Sequence, residues 1–314
     1  MKDDYCDVLL STFNGEEYLE EQLKSLLSQT YEKLNILVRD DGSSDETKSI
    51  LYLYKKKYPT KIKIIEDEKG NLGPKYSFEI LMIKSKSKFI AFCDQDDIWI
   101  PKKIENAINA LNSIEHTETK LYCSDVSIVD ENLKILNKSF FQKNFFFDKK
   151  NISKVNKIAF RNFAIGATVV ITKNLKEVSL PISSDALMHD WWILIHAVHY
   201  GDIYVDKNVN MLYRQHKNNV IGSPDNKMIL DFQYIKKQLE RSHNNTHACV
   251  LQAKSFYDQN KSNSNIDLSL FKLLADISKK SLFFRLKFYF VQKLFKPNLF
   301  LSLIHLYSFL KIRK

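Results

Sequence analysis

The stretch Lys88-Phe89-Ile90-Ala91-Phe92-Cys93-Asp94-Gln95-Asp96-Asp97 is apolar from Phe89 to Cys93 and then turns acidic. An apolar run of that length, without polar alternation, suits a strand covered on both faces. Acids just past its end fall where an open α/β sheet binds ligands. Working outward, similar short runs end near Tyr5–Ser11, Leu34–Asp40, Lys61–Glu66 and Lys120–Ser124. Amphipathic stretches at Glu16–Ser28, Asp45–Tyr58, Lys75–Ser85 and Pro101–Ile114 separate them, the last with Pro at a helix start, where its missing N–H costs nothing. In Gly42-Ser43-Ser44-Asp45-Glu46, polar side chains can cap the second helix. The alternation predicts an α/β fold, doubly wound around a mostly parallel sheet.

Regularity fades after Asp125. Phe140 to Lys150 is rich in Phe and Lys, Phe163 to Ile171 reads as a strand, and Ala186 to His199 reads as a helix. Strand-like Asp202–Val205 and Val209–Tyr213 follow, then a polar loop at His216–Asn226. From Lys227 onward the pattern is helical, with a Ser/Asn-rich break at Gln259–Asn265. The expected division is a catalytic domain over 1–222, with a nucleotide-binding half to about 125 and an acceptor half from about 126. A C-terminal helical extension over 223–314 completes it.

The chain has 314 residues, 44% apolar and 27% charged, with only 7 Gly and 6 Pro, so disordered and collagen-like classes are excluded. Cys6, Cys93, Cys123 and Cys249 form no C-x-x-C pair, which argues against zinc knuckles and redox motifs and fits a reducing cytoplasm. The N-terminus carries acids where a signal peptide has bases, so export is not expected. The nearest approach to a membrane span, Leu299 to Leu310, is interrupted by serines and His305, so no transmembrane anchor is expected. His243 and His247 lie one helical turn apart but have no acidic neighbour, which argues against a metal site there.

The net charge is +10. Nine basic residues and no acid lie between Ile277 and Lys314; removing these nine from the 47 bases leaves 38, against 37 acids in the first 276 residues. A nearly neutral body with a cationic tail does not describe a nucleic-acid binder. The tail also carries nine aromatics from Phe283 to Phe309, with Pro297 between two short amphipathic stretches. That composition suits a helical hairpin in a membrane interface; a helical pair packed on the body or on a second subunit, as in a homodimer, stands beside it.

In Asp94-Gln95-Asp96, extended backbone points both carboxylates to one side, as two hard ligands for a divalent cation. Such an ion neutralises a departing diphosphate. Other acidic clusters are Arg39-Asp40-Asp41-Gly42-Ser43 and His189-Asp190-Trp191-Trp192, whereas Asp67 and Glu68 read as a solvated loop.

With Leu9-Leu10-Ser11-Thr12-Phe13-Asn14-Gly15-Glu16, Gly70-Asn71-Leu72-Gly73 and Tyr213-Arg214-Gln215-His216-Lys217-Asn218-Asn219-Val220-Ile221-Gly222, these motifs stand in an order and spacing that resemble family 2 glycosyltransferases of the GT-A fold. The late motifs resemble the bacterial rhamnosyltransferase-type branch that builds surface polysaccharides. The resemblance covers about residues 5 to 222. It implies an inverting transfer from a nucleoside diphosphate sugar, dTDP-rhamnose or a UDP-sugar, with Mg²⁺ or Mn²⁺. The resemblance further implies a polyprenyl-linked glycan acceptor at the inner leaflet and an enzyme that is cytoplasmic and peripheral on the membrane.

Residue by residue, Ser11, Thr12, Asn14, Asp40 and Asp41 would hold the nucleoside, one carboxylate accepting the N3–H of the base, with Asn71 over the same ring. Lys75, Asp94 and Gln95 join the nucleotide-sugar set, Asp94 facing the ribose. Asp96 is the metal ligand, with His216 approaching metal or diphosphate, and Arg214 and Lys217 adding positive charge. Gly166-Ala167-Thr168 would lie beneath the donor sugar. Asp190 is the candidate general base, with a pKa raised by a partly apolar cleft. Trp99, Trp191 and Trp192 are acceptor-side candidates, Trp191 or Trp192 stacking on an apolar sugar face unless they are core. The alternative is a nucleotide-sugar-binding scaffold of a membrane-associated synthase complex, without transferase activity.

Overall fold

The computed structural model describes residues 4–143, 155–217, 232–296 and 299–312. The Asn218–Gly222 motif, Pro297 and most of the Phe/Lys-rich stretch lie outside the described residues.

Among the described residues a nine-stranded sheet dominates, running from one edge Ile62–Ile64, Leu34–Asp40, Cys6–Thr12, Phe89–Cys93, Val170–Thr172, Lys120–Val129, Asp202–Arg214 and Ile98–Trp99, with Ile135–Asn137 paired to Lys120–Val129. Its first half is built from β1 (Cys6–Thr12), β2 (Leu34–Asp40), β3 (Ile62–Ile64) and β4 (Phe89–Cys93), all parallel. Every residue of β4 is buried, as its uninterrupted apolar sequence requires. Four helices alternate with this half: α1 (Leu19–Leu27), α2 (Thr47–Lys57), α3 (Pro74–Lys84) and α4 (Lys103–Asn112). α4 starts past Pro101, and α2 starts where Asp45 Oδ1 accepts a hydrogen bond from Thr47 N at 3.1 Å.

The second half departs from the sequence reading. β6 runs over Lys120–Val129, beyond the expected end at Ser124, and pairs in parallel with β9. β9 is one strand, Asp202–Arg214, where two were expected. The polar Lys207-Asn208 interruption is taken up by a register shift: Ser124 pairs with Asp206 and Asp125 with Val209. The segment read as a strand from Phe163 is a 3₁₀ turn at Gly166–Thr168 followed by β8 (Val170–Thr172), which lies antiparallel between β4 and β6. β5 (Ile98–Trp99) is antiparallel to β9, and β7 (Ile135–Asn137) to β6. α5 (Lys173–Ser179) and α6 (His189–Tyr200) complete the unit.

The described residues fall into two compact units. The sheet unit takes those of 1–146, 164–182 and 188–222, and the helical unit those of 147–163, 183–187 and 223–314. The helical unit contains α7 (Phe232–Asn260), α8 (Ser269–Ala275), α9 (Leu282–Val291) and α10 (Leu299–Leu310). All four cysteines are free and buried.

Candidate active site

Strand register gathers the motifs. Thr12 pairs with Asp40 and Leu10 with Cys93, so β1, β2 and β4 end side by side and release their loops at one edge of the sheet. The loops are tied to one another. Thr12 Oγ1 donates to Asp40 Oδ1 at 3.0 Å, and Asn14, at φ 46°, donates its N–H to Ser43 Oγ at 2.9 Å. Asn14 Oδ1 accepts from Ser44 N at 2.9 Å. Gln95 clamps Phe13 through both its amide atoms, accepting from N at 2.8 Å and donating to O at 3.0 Å. This close approach explains Gly15: a Cβ there would stand 2.3 Å from Gln95 Oε1.

The two acids after β2 have separate duties. Asp40 Oδ2 accepts from Ser43 N at 2.9 Å and shapes its own turn. Asp41 is buried; it pairs with Arg39 and accepts from Leu72 N at 2.8 Å and Gly73 N at 2.7 Å, holding the Gly70–Gly73 loop beside it. With both oxygens engaged, Asp41 is a brace and not a carboxylate open to a nucleoside base. Asp67 lies in an exposed loop, as expected, and also takes two hydrogen bonds from Arg39, at 2.7 and 3.1 Å. The guanidinium holds its carboxyl below the usual range. Asn71 is exposed on this loop, and Lys75 lies with its Nζ 4.7 Å from the Tyr76 ring centroid.

The Asp94–Asp97 bend is an electrostatic focus. Burial pushes the Asp94 carboxyl up to about 7, and the charges of Asp96 and Asp190 add to the shift. Asp97 is fully buried; its Oδ1 accepts from Arg214 N at 3.1 Å, while Oδ2 has no hydrogen-bond partner. Burial, with Asp96 and Asp94 nearby, raises Asp97 well above the carboxylate range. His216 Nε2 stands 2.9 Å from Asp96 Oδ2, so the structure joins two residues 120 positions apart. Among the described residues no group of three His, Cys, Asp or Glu side chains forms a ready-made metal site. The Asp96–His216 pair and Asp94 nevertheless offer the right donor chemistry: oxygen ligands with negative charge in excess, and an imidazole nitrogen.

Two residues that sequence reading missed complete this focus. Lys103 is fully buried, with Nζ 3.2 Å from the Trp99 ring centroid and hydrogen-bonded to Ala167 O. Burial pulls it down to about 7 against the opposing influence of Cys93, Asp97 and Asp94. Its position on the apolar stripe of α4, one turn before Ala107 and two before Leu111, was the available signal. Tyr213 is the other; burial and the charges of Asp97, Asp94, Asp96 and Asp190 all raise its phenol.

Asp190 occupies the first turn of α6, buried, with Oδ1 accepting from Trp191 N at 2.6 Å. It is close enough to Asp94 to raise that carboxyl. Gly166 lies against it: a Cβ there would be 3.3 Å from Asp190 Oδ2 and 3.5 Å from His189 Nε2. His189 packs against Phe78 and Phe92, and burial lowers it to about 3.

Four further expectations need correction. Arg214 adds no free charge for a diphosphate: it is buried, donating to Asp96 O at 2.9 Å and Glu131 O at 2.7 Å and pairing with Glu21, and so props up the acidic bend. Trp99 is buried over Lys103, and a ring so enclosed cannot stack on a sugar. Trp192 is also fully buried, its indole N–H donating to Ser179 O at 2.9 Å. Trp191 is buried as well, beside Asp190.

A parallel half-sheet that delivers acids to one edge, continued by an antiparallel half carrying a second aspartate, defines a glycosyltransferase with the GT-A fold. Residues 7–166 match the profile of Glycosyl transferase family 2. The chain belongs to that family, and it is an enzyme rather than a non-catalytic scaffold. It is 32% identical over 228 residues to dTDP-rhamnosyl transferase RfbG of Shigella flexneri, covering 68% of this chain and 74% of that one. Among solved structures, S. aureus TarS 1–349 in complex with UDP superposes with a TM-score of 0.56 at 16% identity, covering 86% of this chain and 69% of that one. The mannosyltransferase PcManGT from Pyrobaculum calidifontis, in complex with GDP-Man and Mn²⁺, gives 0.55 at 16%, covering 98% and 85%.

Proposed function

We propose that this glycosyltransferase moves L-rhamnose, with inversion, from dTDP-rhamnose to a hydroxyl of a polyprenyl-linked glycan at the cytoplasmic face of the membrane. The observation that carries the reading is the excess of carboxylates at the sheet edge, Asp94, Asp96 and Asp97 with Asp190 in electrostatic range. The RfbG relative supports the donor.

The nucleoside lies against the Ser11–Asn14 turn, Asp40 and the Asn71 loop. Asp96 and His216, with Asp94, would hold Mg²⁺ or Mn²⁺; the bound ion supplies charge neutralisation for the diphosphate. Asp190 accepts the proton of the acceptor hydroxyl as its oxygen bonds to the anomeric carbon, and the C–O bond to the diphosphate breaks with its electrons leaving on the nucleotide. Asp190 is the carboxylate against which the small Gly166 floor lies, where an acceptor hydroxyl can approach it. Lys103, buried under the bend, offsets part of the acidic charge and keeps the site folded.

The test is a thermal-shift series of nucleotide sugars with Mn²⁺ and with chelator, followed by a transfer assay. A shift with dTDP-rhamnose that chelator removes, and that other donors do not match, is expected. Equal shifts across donors, or none, refute the donor assignment.

A further inference from the structure

The helices α9 and α10 are apolar outside as well as inside, and bury polar groups between them. In a protein surrounded by water, a surface helix turns its apolar stripe inward and its polar residues outward. Here α9 buries Arg285, with Nη1 donating to Leu310 O at 2.9 Å and Ile312 O at 2.7 Å, Nη2 to Ser278 O at 2.6 Å and Nε to Lys280 O at 3.1 Å. α10 buries Ser302, His305 and Ser308, and the two helices also enclose Phe288, Tyr289, Ile304 and Phe309. His305 Nδ1 lies 3.1 Å from Leu294 O and 3.2 Å from Tyr289 Oη, and Ser308 Oγ donates to Ser242 Oγ at 3.0 Å. The pairing of Arg285 with Leu310 and of Tyr289 with Ser302 sets the two helices antiparallel.

The outward face is apolar. Phe283 and Leu299 are each 77% exposed, and Leu282, Val291, Leu303 and Tyr307 are exposed beside them in helical register. Exposed apolar surface of this kind marks an interaction site. Charge identifies what it meets. Lys280, Lys287, Lys293 and Lys311 are exposed around these residues, Lys279 is exposed and paired with Asp276 at 2.6 Å, and no acid occurs between Ile277 and Lys314. A protein partner or a second copy would have to match an all-cationic border, and a second copy would bring the same positive charge. An anionic lipid surface supplies both an apolar interior and a negative rim.

We propose that α9 and α10 form a hairpin that lies in the surface of an anionic bilayer, with Phe283 and Leu299 entering the acyl boundary and the flanking lysines meeting the headgroups. Among the described residues no helix is long and apolar enough to cross a membrane, so the attachment is interfacial. The inference deepens the membrane-borne acceptor reading above and rests on it for its biological sense.

The experiment is co-sedimentation of the full chain with vesicles of phosphatidylcholine, alone or mixed with phosphatidylglycerol, at low and high salt. Partition onto mixed vesicles is expected to exceed that onto phosphatidylcholine by about tenfold and to weaken with salt. Phe283→Asp/Leu299→Asp is expected to lose about tenfold or more, and Lys279→Glu/Lys280→Glu/Lys287→Glu to lose the lipid discrimination. Wild-type protein that stays in the supernatant, or that binds both vesicles equally, overturns the proposal. So does a dimer in sedimentation velocity that Phe283→Asp/Leu299→Asp dissociates, because the face then meets a second copy. Sugar transfer to a soluble acceptor, measured alongside, separates the two readings: transfer without vesicle binding defeats only the membrane surface, and vesicle binding without transfer defeats only the reaction.

Discussion

The sheet edge and the α9–α10 hairpin each break the usual partition of residues, in opposite directions. At the sheet edge, ionisable groups are held inside: Asp97 and Lys103 are fully buried, and Asp94 is raised by burial and by the charges of Asp96 and Asp190. On the hairpin, large apolar groups such as Phe283 and Leu299 are held outside, while Arg285, Ser302 and Ser308 are buried and hydrogen-bonded beside Phe288 and Phe309. Concentrated like charge costs energy unless a cation relieves it, and exposed Phe and Leu cost energy unless water is excluded. Each anomaly is the ground of one proposal made above: a divalent cation with a nucleotide at the sheet edge, and a lipid surface on the hairpin.

The largest expected effect separates chemistry from architecture at the sheet edge. Asp190→Asn should lower transfer by on the order of 10³-fold while donor affinity changes little, because the amide keeps the side-chain shape but takes no proton. Rates and donor binding measured together decide it; near-normal turnover removes Asp190 as the base.

On the hairpin, Arg285→Met should destabilise the protein by about 3 kcal/mol, since four carbonyl hydrogen bonds lose their donor. Denaturant unfolding reads this, and donor affinity should not follow. A variant as stable as wild type would mean that the buried polar interior of the hairpin contributes nothing.

His305 sharpens the comparison through pH. Burial lowers it from 6.5 to about 3, so between those values the unfolded ring binds a proton that the folded ring does not. Its contribution is present above pH 6.5 and is lost as pH falls through that window, by about 2 kcal/mol at pH 5. The wild-type stability, measured relative to His305→Gln, should decline by that amount between pH 7.5 and 5. A flat difference contradicts a buried neutral ring.

The smallest effect tests the loop ties. Gly15→Ala forces Gln95 to release Phe13 and should weaken donor binding about tenfold, or about 1.4 kcal/mol, with stability reduced by a similar amount. Calorimetric titration with the donor nucleotide checks it; unchanged affinity would show that the clamp is dispensable.

Much of the first half was legible in advance because its information is local. β2 was placed from Leu34 to Asp40, and β1 and β4 within a residue of their observed ends, since parallel strands covered on both faces are continuous apolar runs. The second half was less legible. A register shift rejoined the two pieces of β9, and Gly166 turned an expected strand into a 3₁₀ turn, because pairing across the sheet outweighed local pattern.

The sequence by itself determined where the acids would collect, which helices would alternate with the strands, and that the tail would be basic and aromatic. Only the tertiary structure decided which polar groups spend their hydrogen bonds on one another. It bound Arg214 to Asp96 and Arg39 to Asp67, buried Trp99 and Trp192, placed Lys103 beneath the acids, and turned Leu282, Phe283 and Leu299 outward. The physical reason is that periodicity reports whether a side chain is apolar, whereas a polar side chain's role depends on partners brought in from distant parts of the chain.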